Sequence, residues 1–177
     1  IAPRLSELLS AYPGSRHGNV ETRGLDSRFS EETYVDTGLD QALQREVREG
    51  AVDLIILFGN AGDGKTAFLQ NLAQALAQDR PSSQERLWDR RIQNGGRMLK
   101  LNLDGSAAYK GKSANDVLDS FLGPFKSSDE QTKRPHTHAL AINSGKMLEW
   151  LDLQEDETPF TEGLRGVLFA DEVENPP

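Results

Sequence analysis

The chain has 177 residues, the size of one domain with a single core, and its 28 acidic against 20 basic residues give a formal net charge of -8. That balance repels a polyanion on average, so nucleic acid is not indicated as a partner of this segment. There is no cysteine, no apolar run approaching the ~18 residues of a membrane span and no secretory leader at the visible start, which fits a cytoplasmic protein.

Residues 1–12 place Leu5, Leu8, Leu9 and Tyr12 at helical spacing, and Pro13-Gly14 ends the pattern. Residues 14–36 are polar and glycine-containing without a sustained period, and read as a linker. Thr37 then caps a helix with Asp40 in its first turn, a stripe of Leu39, Ala42, Leu43 and Val47, and Gly50 past its end. Residues 52–58 are almost continuously apolar, which suits a strand buried on both faces. GNAGDGKT, residues 59–66, follows at once, and Phe68, Leu69, Leu72, Ala73 and Leu76 continue at helical spacing. Residues 79–96 read as a polar excursion with a short helix near 86–91 in which Trp88 packs locally. Residues 98–103 alternate as a strand ending in Asp104-Gly105. Ser113 or Asn115 caps a helix through Val117, Leu118, Phe121 and Leu122 that Gly123-Pro124 closes. Residues 138–142 form a third strand, Ser144 begins a helix through Met147, Leu148 and Leu151, and residues 167–170 read as a fourth strand before Asp171-Glu172. Strands alternating with helices predict an α/β fold, a parallel sheet with helices on both faces.

The glycine stretch is the most informative part of the chain. Backbone N–H groups can form a concave shell for phosphate only where the chain bends tightly without side chains in the way, and Gly59, Gly62 and Gly64 meet that need. Asn60, Ala61, Asp63 and Ala67 complete the phosphate-facing stretch, and the helix starting near Lys65 turns its positive dipole end toward the same anion. Lys65 adds a mobile charge for the outer phosphates, and the Thr66 hydroxyl is placed to ligate magnesium. With G-x-x-x-x-G-K-[ST] complete and a strand and helix on the proper sides, the sequence resembles the P-loop NTPases, and GNAGDGKT is most similar to the Walker A box of the AAA+ and STAND branch. The resemblance spans residues 37–172. It implies ATP and magnesium as ligands and a P-loop NTPase core over 37–177. Residues 1–36 form an N-terminal helix and linker, and both chain ends read as cut from something larger.

Hydrolysis also needs an acid for the magnesium shell and a group that orients water. Residues 166–172, GVLFADE, resemble a Walker B box, which assigns Asp171 to the metal and Glu172 to the water. A long stretch with two strands separates Lys65 from this pair, longer than is usual in the family, and Asp104 is the alternative acid. Asn143 ends an apolar strand and resembles the AAA+ sensor asparagine, although that sensor normally follows Walker B; a helix cap is the competing role. His136 and His138 share a strand face but lack the further ligands of a zinc site. Lys110, Lys112, Lys126, Lys133 and Arg134 read as a solvated face, and Arg16, Arg23 and Arg28 as surface arginines.

Two functions are consistent with these residues. One is magnesium-dependent ATP hydrolysis driving conformational change in a larger protein, with catalytic Lys65, Glu172 and Asn143 and metal ligands Thr66 and Asp171. The other is a nucleotide-gated signalling or binding module with slow or no turnover. A P-loop kinase is a third reading, whose arginine-rich lid would have to lie beyond Pro177, since none is evident in these residues. The partners to expect beyond the nucleotide are other domains of the same chain and a second copy in a homo-oligomer.

Overall fold

The structure, a computed structural model, describes residues 24–126 and 135–174. The helix expected within residues 1–12, together with Arg16, Arg23, Lys133 and Arg134, lies outside them. In chain order the elements are α1 (Arg28–Thr33), α2 (Gly38–Glu49), β1 (Leu54–Phe58), α3 (Lys65–Ala77), β2 (Leu87–Arg91), β3 (Met98–Asn102), α4 (Ala114–Lys126), β4 (His136–Ile142), α5 (Ser144–Asp152) and α6 (Pro159–Glu174).

One four-stranded sheet has the order β1-β4-β3-β2. β4 pairs in parallel with β1, from Leu54 opposite His138 to Phe58 opposite Ile142, and with β3, from Met98 opposite His136 to Asn102 opposite Leu140. β2 runs antiparallel to β3, so the sheet is mixed and not wholly parallel. Alternation along each strand divides the core in two. Ile55, Leu99, Leu101, Ala139 and Ala141 pack with Val47 of α2 and with Leu69, Leu72, Ala73 and Leu76 of α3. Leu140 and Ile142 pack on the opposite side with Leu118, Phe121 and Leu122 of α4 and with Met147, Trp150 and Leu151 of α5, and Leu54, Ile56 and Phe58 join them. Helices therefore cover both faces, as alternating strands and helices dictate.

Four expectations are corrected. The helix near 86–91 is instead β2: Trp88 is 4% exposed while Leu87 and Asp89 face outward, a two-residue period that a short charged segment hides. Asn94 at φ 59°, with Gly95 and Gly96 behind it, turns this strand back into β3 as a hairpin. Gly123-Pro124 does not close α4. The helix continues to Lys126 because Phe125 is buried edge-on against His138, ring centroids 5.1 Å apart, and Ser120, whose carbonyl the proline cannot serve, is exposed. Part of the presumed linker forms α1, capped by Ser27, whose hydroxyl accepts from Ser30 N at 3.0 Å.

The fourth correction bears on function. Residues 167–170 lie within α6 and form no strand, so Asp171 and Glu172 follow no buried strand. Thr158 caps the helix by accepting from Thr161 N at 3.2 Å, and Pro159 occupies the first helical position, where its missing N–H costs nothing. Phe160, Leu164 and Leu168, four apart, pack on the second core. A short apolar run is ambiguous between strand and helix, and the cap decides it here.

α2 begins and ends as its sequence predicts, with Gly50 at φ 71° behind it. Its Asp40 is 2% exposed and accepts from Thr37 N at 2.8 Å, Thr37 Oγ1 at 2.6 Å, Tyr34 Oη at 2.6 Å and Asn71 Nδ2 at 3.1 Å. Burial pushes this carboxyl up, but the hydrogen bonds from Thr37, Tyr34 and Asn71 outweigh it and hold the group below its ordinary value of 3.8. Asp40→Asn should lower stability at pH 7 by about 1–3 kcal/mol in urea unfolding, because buried donors lose a charged acceptor. A depressed folded value contributes stability above the ordinary one and loses it as pH falls, so the gap between variant and wild type should close only below pH 3.8.

Candidate functional site

Parallel pairing carries three strand ends to one edge of the sheet. Phe58 runs into Gly59, Ile142 into Asn143, and Asn102 into Leu103-Asp104. The glycine stretch bends there with Gly59 at φ 149°, Gly62 at 97° and Gly64 at 78°, values that L side chains rarely adopt. A Cβ on Gly59 would also run into the Asp63 carboxylate, whereas Gly62 and Gly64 have open space and are required by backbone angle alone.

Within the loop, Asn60 N donates to Asp63 Oδ2 and Asp63 N donates to Asn60 O at 3.4 Å. Lys65 folds back so that Nζ donates to Gly59 O at 2.9 Å and Asn60 O at 2.6 Å. α3 then starts from Gly64 without a side-chain cap. α1, α2, α4, α5 and α6 are all capped by side chains, from Ser27, Thr37, Ser113, Asn143 and Thr158. Helix geometry leaves the first-turn amides of α3 without acceptors inside the helix, and residues 60–64 are exposed.

Thr66 is half-buried and donates from Oγ1 to Leu103 O at 3.3 Å, which sets Asp104 next to the start of α3. Asp104 N donates to Asn102 Oδ1 at 3.2 Å, and Asp104 Oδ1 accepts from Ser106 N at 3.1 Å. Asn143 is exposed and serves as the α5 cap, its Oδ1 accepting from Lys146 N at 2.7 Å. That bond commits the amide oxygen and leaves the amide NH2 of Asn143 as a donor at the sheet edge. Of the residues singled out in the sequence, Gly59 to Ala67, Asp104 and Asn143 therefore meet at one edge. Asp171 and Glu172 do not share the strand-end placement that motivated their choice.

The structure adds Gln70, which pattern reading passed over as one polar residue on an amphipathic helix. Fully buried one turn beyond Thr66, it accepts from Leu25 N at 2.6 Å and donates to Asp26 Oδ1 at 2.7 Å and Pro81 O at 2.9 Å. Asp26 also accepts from Ser83 N at 3.0 Å and 2.9 Å. Gly24, at φ 69°, lies so close that a Cβ there would reach Thr66 Cγ2 at 3.0 Å. Only a two-way amide serves a donor and acceptors at once in this position, but nothing in the local sequence marks the partner 45 residues upstream.

Both histidines lie in the amino half of β4, away from the strand ends that form the site. His138 is 4% exposed, with Nδ1 against Phe121 O at 2.9 Å and its ring between Phe121 and Phe125. Burial, then Lys100 and Arg97, pull His136 below its ordinary value. Lys110 and Lys112 are exposed, Lys126 pairs with Asp119 at 2.7 Å and Arg28 with Glu32 at 2.8 Å. Among the described residues no group of three or more His, Cys, Asp or Glu could hold a metal by itself, and no helix is long and apolar enough to cross a membrane. No protein-family model, curated protein or solved structure matches the chain.

Gln70→Leu should destabilise the domain by about 2–3 kcal/mol, because it strands a buried Leu25 N–H and the Pro81 carbonyl. Urea unfolding reads the loss, and faster proteolytic cutting near Gly24 should accompany it.

Proposed function

We propose that residues 59–67 bind a nucleoside triphosphate with magnesium in a P-loop NTPase fold, and that the chain hydrolyses ATP to drive conformational change in a larger protein. The observation that carries this reading is a loop with three positive-φ glycines feeding the one described helix whose first turn lacks a side-chain cap, at the edge where Asp104 and Asn143 also stand. First-turn amides without acceptors, a flexible cation and a positive dipole end suit an anion, and the glycines let the backbone approach it.

The residues fit the ligand. Lys65 already finds oxygens at two loop carbonyls, and a phosphate would replace them with a charged acceptor. The Thr66 hydroxyl and the Asp104 carboxylate would hold magnesium, which keeps waters and takes phosphate oxygens and so needs few protein ligands. When bound, magnesium would neutralise charge on the phosphate oxygens. Asn143 can only donate from its free amide nitrogen, which suits an outer phosphate oxygen or the attacking water.

Asp104 takes precedence over Asp171 because it follows β3 at the sheet edge, next to the start of α3 through the Thr66–Leu103 bond, whereas Asp171 stands on α6. One observation favours the gated-module reading as the second: Glu172, the group expected to orient water, follows no strand, so turnover is slow unless Asn143 or a group from elsewhere serves.

Steady-state ATPase rates and calorimetric affinities, with magnesium and with EDTA, test the proposal. Lys65→Ala should weaken ATP binding about 10- to 100-fold, the loss of a charge-assisted contact, without lowering the melting temperature. Asp104→Asn should raise the magnesium needed for half-maximal response by about 10- to 100-fold. A folded Lys65→Ala with wild-type affinity would remove the nucleotide reading, and detectable binding without turnover would select the gated module.

A further inference from the structure

The turn after β3, residues 103–106 with sequence LDGS, is fixed from several directions. Leu103 N donates to Arg86 O at 2.8 Å and Leu103 O accepts from Thr66 Oγ1 at 3.3 Å, so the turn is tied to α3. Gly105 N donates to Ala141 O at 2.8 Å, tying it to β4. A Cβ on Gly105 would meet Leu140 Cδ1 at 2.7 Å and Leu118 Cδ2 at 3.2 Å, so the turn also rests on the second core. The next residue then makes two contacts at the sheet edge: Ser106 N donates to Asp104 Oδ1 at 3.1 Å, and Ser106 Oγ accepts from Asn143 N at 3.2 Å.

We propose that Ser106 is a positioning residue for the site, joining the Asp104 carboxylate and the Asn143 donor into one unit. This rests on the nucleotide reading above. Asn143 is the extended residue between β4 and α5, at φ -87° and ψ 149°, so its main-chain N–H faces sideways at the end of the strand. Ser106 Oγ holds that N–H, and the α5 cap holds the side-chain oxygen at Lys146 N. Two bonds at opposite ends of one residue set where its amide NH2 points. The Ser106 main chain meanwhile orients the acid, so a shift of either partner is felt by the other.

Asn143 is exposed, and water can replace the serine hydroxyl at its N–H. Ser106→Ala is therefore expected to melt close to wild type while misdirecting the donor. The rate constant for turnover should fall about 10- to 100-fold, as small misplacements do, with KM for ATP changed less than about twofold. Ser106→Thr keeps the hydroxyl and should recover most of the rate. In an Asn143→Ala background, Ser106→Ala should cost less than about twofold more, because residues acting through one another are not additive.

A wild-type rate in Ser106→Ala, full additivity with Asn143→Ala, or a Ser106→Thr variant as slow as Ser106→Ala would each overturn the inference. If Ser106→Ala proves unfolded, Ser106→Cys, which keeps the volume and accepts poorly, takes its place in the same cycle. If the wild type binds magnesium ATP without turning it over, the test is read on the Asn143 side-chain NH2 resonances of the ATP-bound protein, where a shift in Ser106→Ala that Ser106→Thr restores supports the inference and unshifted resonances overturn it. A wild type without affinity for magnesium ATP would remove the nucleotide reading and this inference together, whereas a turning-over wild type with an indifferent Ser106→Ala removes the inference alone.

Discussion

The candidate site depends on the parallel register of β1, β4 and β3. Because β4 is paired to both neighbours, the glycine loop, Asn143 and Asp104 are delivered to one edge although they are far apart in the chain. The carboxyl ends of parallel strands form a crevice that helices flank without covering. A slip of one residue would turn every side chain of a strand to the other face, so the two apolar cores enforce the register and, through it, the site.

The amino ends of the same strands are pinned by charge. Arg97, behind the β2–β3 hairpin, donates to the carbonyls of Val52 at 3.5 Å and His136 at 3.1 Å, to Thr137 Oγ1 at 3.2 Å and to the Asp53 carboxylate. Thr137 Oγ1 donates in turn to Val52 O at 3.0 Å. One guanidinium nitrogen, Nη2, thus gathers acceptors from the segment entering β1 and from the start of β4, next to the start of β3, at the edge opposite the site. Asp40 and Gln70 serve as comparable polar nodes where α2 and the segment before it meet α3. The site is held by packing along the strands and by buried hydrogen bonds at their ends.

Much of this was legible in the chain. The strand, glycine turn and amphipathic helix of residues 52–77 are contiguous, so local periodicity and turn chemistry suffice to find them, although β1 stands at the sheet edge with only Ile55 buried and is not the doubly covered strand its apolar run suggests; the caps at Thr37, Gly50 and Asn143 are similarly local. What escaped depends on partners distant in sequence. β2 is a strand because Trp88 enters a core built by α3 and β3, not because of its own composition. Residues 167–170 have a strand's composition but belong to a helix whose start, Thr158-Pro159, lies well upstream, with Gly163 and Gly166 weakening the helical signal between. Choosing between Asp104 and Asp171 therefore required the sheet order. Ser106 and Gln70 carry no local mark at all.

The central claim is spatial, and it is tested most directly by locating bound metal on the protein. In two-dimensional amide NMR spectra of the isotope-labelled chain, manganese added with ATP should broaden the resonances of Gly62, Gly64, Thr66, Asp104 and Ser106 first, because broadening falls steeply with distance from the ion. Amides of α2 and of the β2–β3 hairpin turn should stay sharp. Selective broadening of this set that requires ATP and is reversed by excess magnesium is the predicted result. Broadening centred on other residues, or none at millimolar ATP, would contradict the account.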